Sequence, residues 1–149
     1  MEFERFSLFL KHTKVKEFTE WLEQGEVRAT RCPRCGAVHY PPRAECPKCF
    51  EEGMEWIPLR GPGKLVSYTA IHVTPDHFTP DFSRQAPFSE YLYRPAPVGI
   101  VELAEGVRVM GWIVGVPPED LRVGMELCPR AEVLKDGRAT VVLVGKERE

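Results

Sequence analysis

The chain has 149 residues, a formal net charge of -2 and a hydrophobic content of 43%, which suits one ordinary globular domain or two small modules. No apolar run approaches the roughly 18 residues of a membrane-spanning helix. The near-neutral charge also disfavours binding to nucleic acid mainly through phosphates. The N-terminal stretch MEFERFSLFLKHTK lacks the basic start and the cleavage site of a secretion signal. We therefore expect a cytoplasmic protein without a membrane partner.

Amide side chains are scarce in this sequence. It contains no asparagine and only two glutamines, Gln24 and Gln85, beside 14 prolines. Amide side chains are thermolabile, and proline in loops is frequent in thermophile proteins. The composition therefore favours a heat-adapted source.

Two amphipathic helices are predicted at the N-terminus. The first has an apolar stripe at helical spacing, formed by Phe3, Phe6, Phe9 and Leu10. The second is the stretch VKEFTEWLEQG, with one face comprising Val15, Phe18 and Leu22, widened by Trp21. We expect Thr13 to cap this helix and Gly25 to end it. The aromatic residues need a surface to cover them, which is either the rest of this chain or a partner subunit.

Four of the five cysteines form two pairs in the stretch TRCPRCGAVHYPPRAECPKC. In the spacing C-x2-C-x10-C-x2-C, two facing turns direct four sulfur atoms at one point, here those of Cys32, Cys35, Cys46 and Cys49. A cytoplasmic setting disfavours disulfides, and a redox pair would need one CxxC at a helix start. The pattern predicts one closed, structural Zn²⁺ site that stabilises a segment too short to bury its own core. Iron is the alternative, because a site of four thiolates accepts either metal.

Basic residues crowd the same stretch, namely Arg28, Arg31, Arg34, Arg43 and Lys48. They indicate either a nucleic-acid or phosphate patch, or compensation for the charge of about -2 on a metal ion bound by four thiolates. Flanking glutamates favour compensation. The fifth cysteine, Cys128, lies in the apolar stretch MELCPRAEVL, and we expect it to be a buried core thiol.

After residue 60 the pattern changes to short strands separated by turns. The predicted strands are KLVSYTAIHV, PVGIVEL, VRVMGWIVGV, MELCPRAEVL and ATVVLVG. Glu105-Gly106 and Asp136-Gly137 are hairpin signals, and PPEDLRVG is expected to hold a one-turn helix or loop between the third and fourth strands. Five short strands in about 85 residues predict a small Greek-key barrel of the OB type. We expect Gly111 to mark a bend that closes it.

Residues 74–97 join the first two strands without a turn signature of their own. The segment is rich in aromatic residues, which disordered segments usually avoid. We interpret it as a docking surface or lid at the barrel mouth, and a loop folded over its own barrel is the alternative. Two histidines and two aspartates lie near its start, but such a set arises often by chance, so we favour no catalytic role for His72, Asp76, His77 and Asp81.

The ordered series of motifs resembles domain-of-unknown-function family thirty-five. The stretches that carry the resemblance are FTEWLEQGEV, RCPRCGAVHYPPRAECPKC with Pro41-Pro42-Arg43 between the cysteine pairs, GPGKLVSYTAIH, VGIVELAEGVRVMGWIVGV and PPEDLRVGMEL. The resemblance implies a mainly β protein with N-terminal helices, in which a four-cysteine, rubredoxin-like zinc ribbon is followed by a five-stranded OB-fold barrel. We accordingly divide the chain into a helical segment (1–26), the ribbon (27–59) and the barrel (60–149).

The resemblance also implies a function, which is that of a non-catalytic accessory or scaffold subunit. Such a subunit binds a thiolase-like or other acyl-CoA enzyme and helps to form or bridge its CoA-thioester site. The residues expected to contact the partner or CoA are Phe78, Phe82, Phe88, Tyr91 and Tyr93, together with Arg43. Catalytic signatures such as G-x-S-x-G or a Walker loop do not occur in the sequence.

A single-stranded nucleic-acid-binding protein is the alternative function. Zinc ribbons and OB-folds both commonly bind nucleic acid. Tyr68 and Trp112 are candidates for stacking on bases, and Arg108 lies on the same alternation as Trp112. The acidic net charge and the lack of a basic stripe make us prefer the scaffold.

Overall fold

A computed structural model describes residues 13–73, 95–134 and 137–145. These residues form α1 (Val15–Glu23), β1 (Arg28–Arg31), β2 (Val38–His39), β3 (Glu55–Pro58), β4 (Gly63–Ile71), β5 (Ala96–Glu102), β6 (Arg108–Val114), a 3-10 helix (Pro118–Asp120), β7 (Glu126–Val133) and β8 (Ala139–Gly145). No helix within these ranges is long and apolar enough to cross a membrane. The first predicted helix, over residues 3–10, lies outside the described residues.

The helix α1 ends at a glycine, as the sequence predicts. Gly25 has a φ of 84°, and its backbone N–H donates to the carbonyl of Leu22 at 3.0 Å. The N–H of Glu26 donates to the carbonyl of Trp21 at 2.9 Å. This pair of bonds is a Schellman motif, which satisfies the last carbonyls of a helix and turns the chain toward β1.

The start and the buried face of α1 differ from the prediction. Lys14, rather than Thr13, precedes the helix, and it makes no capping hydrogen bond with its side chain. Val15 is 43% exposed, whereas Thr19 is buried and donates its hydroxyl to the carbonyl of Val15 at 2.9 Å. The helix presents Thr19 and Leu22 to the protein because β7 and β8 lie on that side.

The described residues pack against α1, whereas the aromatic residues of the first predicted helix lie outside them. The helix contacts β1, β7 and β8. The ring of Phe18 meets the ring of Tyr40 edge-on, with 6.1 Å between their centroids. The indole N–H of Trp56 donates to the carboxylate of Glu17. The helix therefore contacts β1 and Trp56 of β3, which flank the cysteine pairs in the chain, and β7 and β8 farther along the chain.

The strands β2, β1 and β3 form a small antiparallel sheet in that order. Thr30, in the central strand, lies between His39 of β2 and Trp56 of β3. Its side chain is fully buried, and its hydroxyl accepts the backbone N–H of Arg43 at 2.9 Å. This hydrogen bond holds the loop between the two cysteine pairs in contact with the sheet.

The strands β4 to β8 close into a barrel in the order β4-β5-β6-β8-β7. Neighbouring strands are antiparallel except for β6 and β8, which are parallel. This is the five-stranded Greek-key barrel predicted for an OB-fold, and the 3-10 helix occupies the predicted position between its third and fourth strands. Both hairpins contain a glycine in the left-handed region, with a φ of 78° at Gly106 and 81° at Gly137.

Inward-facing aliphatic side chains fill the barrel. Those with 0% exposure include Leu65, Val101, Ile113, Leu127 and Leu143. Leu22 of α1 and Leu59, which follows β3, belong to the same cluster. Complete burial of a side chain of this size contributes about 1.5–3 kcal/mol, so the barrel supplies most of the hydrophobic stabilisation of the chain.

Gly111 lies where β6 and β8 approach each other closely. A Cβ atom at this position would be 2.8 Å from the carbonyl oxygen of Val141 in β8. The obstacle is backbone, which cannot rotate away as a side chain can. The glycine thus permits the close approach of the two parallel strands that complete the barrel.

We expect Gly111→Ala to lower the free energy of unfolding by about 2 kcal/mol, because the added methyl group forces β6 and β8 apart. Urea denaturation followed by circular dichroism measures this difference. Gly145→Ala is the matched control, since a Cβ atom there meets nothing within 4 Å, and it should change stability by less than about 0.5 kcal/mol. Equal effects of the two substitutions would contradict this interpretation.

Candidate metal centre

The two cysteine pairs lie in two turns that have equivalent backbone hydrogen bonds. In the first turn the N–H of Gly36 donates to the carbonyl of Cys32 at 3.0 Å, and in the second the N–H of Phe50 donates to the carbonyl of Cys46 at 2.8 Å. The residue after each pair has a positive φ, 73° at Gly36 and 58° at Phe50. We call these turns the first and the second knuckle.

The four cysteine sulfurs of the knuckles converge on one point. All four Sγ atoms lie within 4.8 Å of one another, with 3.5 Å between Cys32 and Cys49 and 3.6 Å between Cys35 and Cys46. In a regular tetrahedron with metal–sulfur bonds of about 2.3 Å, the sulfurs are about 3.8 Å apart. The observed spacing therefore suits a single structural metal ion with four sulfur ligands.

A backbone N–H group favours the charged form of one sulfur in the first knuckle. The N–H of Cys35 donates to Sγ of Cys32 at 3.4 Å. This hydrogen bond is the main cause that lowers the pKa of Cys32 to about 7, because it favours the charged form. Cys32 and Cys46 are buried, Cys49 is half-buried and Cys35 is exposed. The thiolate is the form that binds a metal ion.

His39 joins this site from β2, a contact that the sequence analysis missed. Its Nε2 lies 3.7 Å from Sγ of Cys46. Burial, followed by the positive charges of Lys48 and Arg43, lowers the pKa of His39. In the tautomer that carries its proton on Nε2, the ring donates to Sγ of Cys46 and would orient this sulfur from outside a coordination shell. No spacing rule indicates this contact, which arises from the pairing of β1 with β2.

Acidic side chains pair with two of the five basic residues of the ribbon. Nε of Arg28 lies 2.6 Å from a carboxylate oxygen of Glu26, and its guanidinium stacks over the ring of Trp21 at 3.6 Å. Arg31 lies 3.5 Å from Glu55 across the pair β1 and β3. These contacts leave Arg28 and Arg31 less available for binding phosphate, and compensation of the charge on the metal site stays a prediction.

Among the residues predicted to contact a partner or CoA, the structure describes only Arg43, whose side chain is exposed. The others lie outside the described residues, namely Phe78, Phe82, Phe88, Tyr91 and Tyr93. Their contact stays a prediction. The same is true of His77, Asp76 and Asp81, while His72 is exposed after the end of β4.

Cys128 is half-buried in β7, and the expectation of a buried core thiol was wrong. Its neighbours Leu127 and Pro129 are buried inside the barrel. Because successive residues of a strand face opposite sides, Cys128 faces outward, where it pairs with Val144 of β8. It lies in the barrel, apart from the knuckles.

The two candidate stacking residues do not share a surface. Tyr68 pairs with Gly99, whereas Trp112 pairs with the preceding residue, Val98. Adjacent residues of a strand point to opposite faces, so Tyr68 and Trp112 lie on opposite sides of the sheet. The hydroxyl of Tyr68 donates to the carbonyl of Leu121 at 3.2 Å. A shared base-stacking platform is therefore not formed by these residues.

Comparison with known proteins assigns both parts of the chain to one family. The ChsH2 rubredoxin-like zinc ribbon domain matches residues 21–55, and the ChsH2 C-terminal OB-fold domain matches residues 56–131. The chain belongs to the ChsH2 family. Relatives in this family are named DUF35 domain-containing scaffold proteins, which confirms the predicted resemblance.

Individual ChsH2-family relatives align with most of the chain. A DUF35 domain-containing scaffold protein of Methanocaldococcus jannaschii is 38% identical over 117 residues, which are 77% of this chain and 74% of that protein. The benzoylsuccinyl-CoA thiolase subunit BbsA of Thauera aromatica is 27% identical and aligns with 79% of this chain and 72% of its own length. A solved structure described as an Ltp2-ChsH2(DUF35) aldolase has a TM-score of 0.70 at 23% identity, covers 92% of this chain and 97% of its own, and supports the fold.

We expect Cys46→Ser to abolish stoichiometric metal binding, because Cys46 is a fully buried member of the sulfur cluster and a hydroxyl is a poor replacement for a thiolate ligand. Metal content per chain after gel filtration, measured by mass spectrometry, checks this. Cys128→Ser is the matched control and should retain the metal. The interpretation is contradicted if both variants retain equal amounts.

Proposed function

We propose that this ChsH2-family chain is an accessory scaffold subunit that binds a thiolase-like or other acyl-CoA enzyme. The observation that carries the proposal is the alignment of most of the chain with relatives named as a scaffold protein and as a thiolase subunit. The order of modules is the same as in the family, with a ribbon followed by an OB-fold. On this proposal the chain works in the cytoplasm as part of a complex.

We also propose that the four-cysteine cluster holds one Zn²⁺ ion. Four thiolates at tetrahedral spacing are the usual ligand set of a structural zinc site, and they leave no open position for water or substrate. The ion would supply folding energy to the ribbon and no chemistry. The cysteines Cys32, Cys35, Cys46 and Cys49 would hold it, with His39 donating to Cys46 from outside. Metal analysis of the native protein decides between zinc and iron.

On this proposal, the reaction belongs to the partner. The chain would contribute binding surface and help to form or bridge the CoA-thioester site of that enzyme. The proposed contacts with the partner or with CoA are Arg43 and the aromatic residues of the segment 74–97, namely Phe78, Phe82, Phe88, Tyr91 and Tyr93. Two observations support this role for Arg43. Its side chain is exposed, and the hydrogen bond from its backbone N–H to Thr30 fixes the position of its backbone on the ribbon.

Two ion pairs among the described residues weigh against binding of nucleic acid. Arg31 is engaged by Glu55 and Arg108 by Glu102, each at 3.5 Å, although both arginines would be candidates for phosphate contacts. Binding to single strands through phosphates needs free positive charges along a groove.

We expect an affinity-tagged chain, expressed in its own source organism, to co-purify with an acyl-CoA enzyme that mass spectrometry identifies as thiolase-like or hydratase-like. The complex should survive moderate salt, because the proposed interface is not built on exposed ion pairs alone. The proposal fails if the tagged chain elutes alone while such an enzyme runs in separate fractions.

We expect only weak binding to single-stranded DNA or RNA. Fluorescence anisotropy with a labelled oligonucleotide tests this, and at physiological salt the affinity should be in the range of non-specific binding, with a Kd above about 1 µM. A much tighter and strongly salt-dependent interaction would instead favour the nucleic-acid-binding function.

A further inference from the structure

The two knuckles differ at the residue that follows the second cysteine of each pair. The first knuckle has Gly36 there, with a φ of 73°, and the second has Phe50, with a φ of 58°. Glycine adopts this left-handed conformation freely, whereas a side chain with a Cβ atom is strained in it. Backbone strain of this kind is retained where the surrounding structure imposes it, and it is frequent at functional positions.

The ring of Phe50 gains little from its own chain. The residue is 80% exposed, so its phenyl group is in water while its backbone is strained. Singly exposed apolar residues are common on protein surfaces, but such residues do not usually carry a strained backbone as well. The folding of the ribbon explains neither the exposed ring nor the strained backbone of Phe50. In the first knuckle, Gly36 makes the equivalent hydrogen bond without a side chain.

The backbone beneath Phe50 is held rigidly. Its N–H donates to the carbonyl of Cys46 at 2.8 Å, and the N–H of Cys46 donates to the carbonyl of Glu51 at 3.0 Å. The adjacent Cys49 belongs to the sulfur cluster. Because this backbone is already ordered, only the two side-chain torsions of Phe50 lose freedom on binding, which makes the ring an effective anchor in a protein interface.

The surroundings of the ring indicate what kind of surface it meets. The exposed charges in the second knuckle and beside it have both signs, because Lys48 is positive while Glu45 and Glu52 are negative. Such a mixture suits the polar rim of a protein interface rather than an anionic membrane. The cleft beside this knuckle is lined by Lys14, Glu17 and the same two glutamates. Such a charged cleft does not suit a phenyl ring from a second copy of this chain.

We propose that Phe50 inserts into an apolar pocket on the acyl-CoA enzyme and anchors the second knuckle there. This inference rests on the proposed function, since it takes that enzyme as the partner. The knuckle then has two roles, because its cysteines bind the metal ion and its last residue binds the partner. The strained backbone is the consequence of placing an aromatic side chain where the turn favours glycine.

The first arm of the experiment measures the chain alone, with metal bound, as wild type, Phe50→Gly and Phe50→Ala. Both variants should retain the same metal content as the wild type. Phe50→Gly should unfold at a higher temperature than Phe50→Ala, because only glycine relieves the left-handed backbone, and at a temperature no lower than the wild type. A large loss of stability in both variants would show that the ring supports its own fold, which would overturn the proposal.

The second arm measures binding to the acyl-CoA enzyme that co-purifies with the wild-type chain. Phe50→Gly should weaken the affinity at least about tenfold, as truncation of an aromatic anchor does, while Phe50→Tyr should retain most of it. Met110→Ala is the matched control, since Met110 is another exposed apolar side chain, at 63% exposure, but lies on the barrel. It should bind as the wild type does.

The outcomes separate this proposal from the proposed function. If the wild type binds the enzyme and Phe50→Gly binds equally well, the anchor role is wrong and the scaffold function stands. If the wild-type chain retains no acyl-CoA enzyme, both proposals are contradicted. An equal loss of binding in Phe50→Gly and Met110→Ala would also overturn the anchor role, because the effect would not be specific to the knuckle.

Discussion

The convergence of four cysteine sulfurs is the constraint on which the ribbon depends. Its strands have only four, two and four residues. The buried apolar cluster beside the sulfurs consists of Cys32, Cys46 and Met54, whereas Val27 and Ala29 belong to the core shared with the barrel. Two of the three residues in the cluster beside the sulfurs are cysteines of the metal site, so the knuckles have almost no hydrophobic core of their own apart from that site. A segment of this size folds when metal binding replaces the missing burial. The backbone hydrogen bonds of the two knuckles stabilise the ribbon only when the metal site holds the sulfurs together.

The ordered ribbon is joined firmly to the barrel. Leu59, directly after β3, is buried in the barrel core, and its N–H donates to the carbonyl of Val27 at 2.8 Å. The carbonyl of Gly25, at the end of α1, accepts the N–H of Ala131 in β7 at 3.3 Å. The barrel therefore provides a stable base, and the metal site fixes the knuckles relative to it. A rigid arrangement of this kind suits a subunit whose proposed role is to present surfaces to an enzyme.

The features that depend on local sequence were predictable, and those that depend on contacts across the fold were not. Alternation and turn glycines predicted all five barrel strands, and spacing alone predicted the sulfur cluster. The burial of Thr19 in place of Val15 follows from where the helix meets β7 and β8, which no helical periodicity specifies. His39 reaches the cluster through strand pairing. Likewise, the opposite orientation of Tyr68 and Trp112 requires the strand register, which apolar runs leave undefined by one residue.

The most direct test of the account is the turnover of an acyl-CoA thioester by the reconstituted components. The chain alone, the co-purified enzyme alone, and their mixtures with wild-type or Cys46→Ser chain are compared by release of free CoA or product. The account predicts that the chain alone does not turn over the thioester. It also predicts that the enzyme turns it over only when the metal-loaded wild-type chain is present. Turnover by the isolated chain, or full enzyme activity whether the chain is absent or lacks its metal site, would contradict the account.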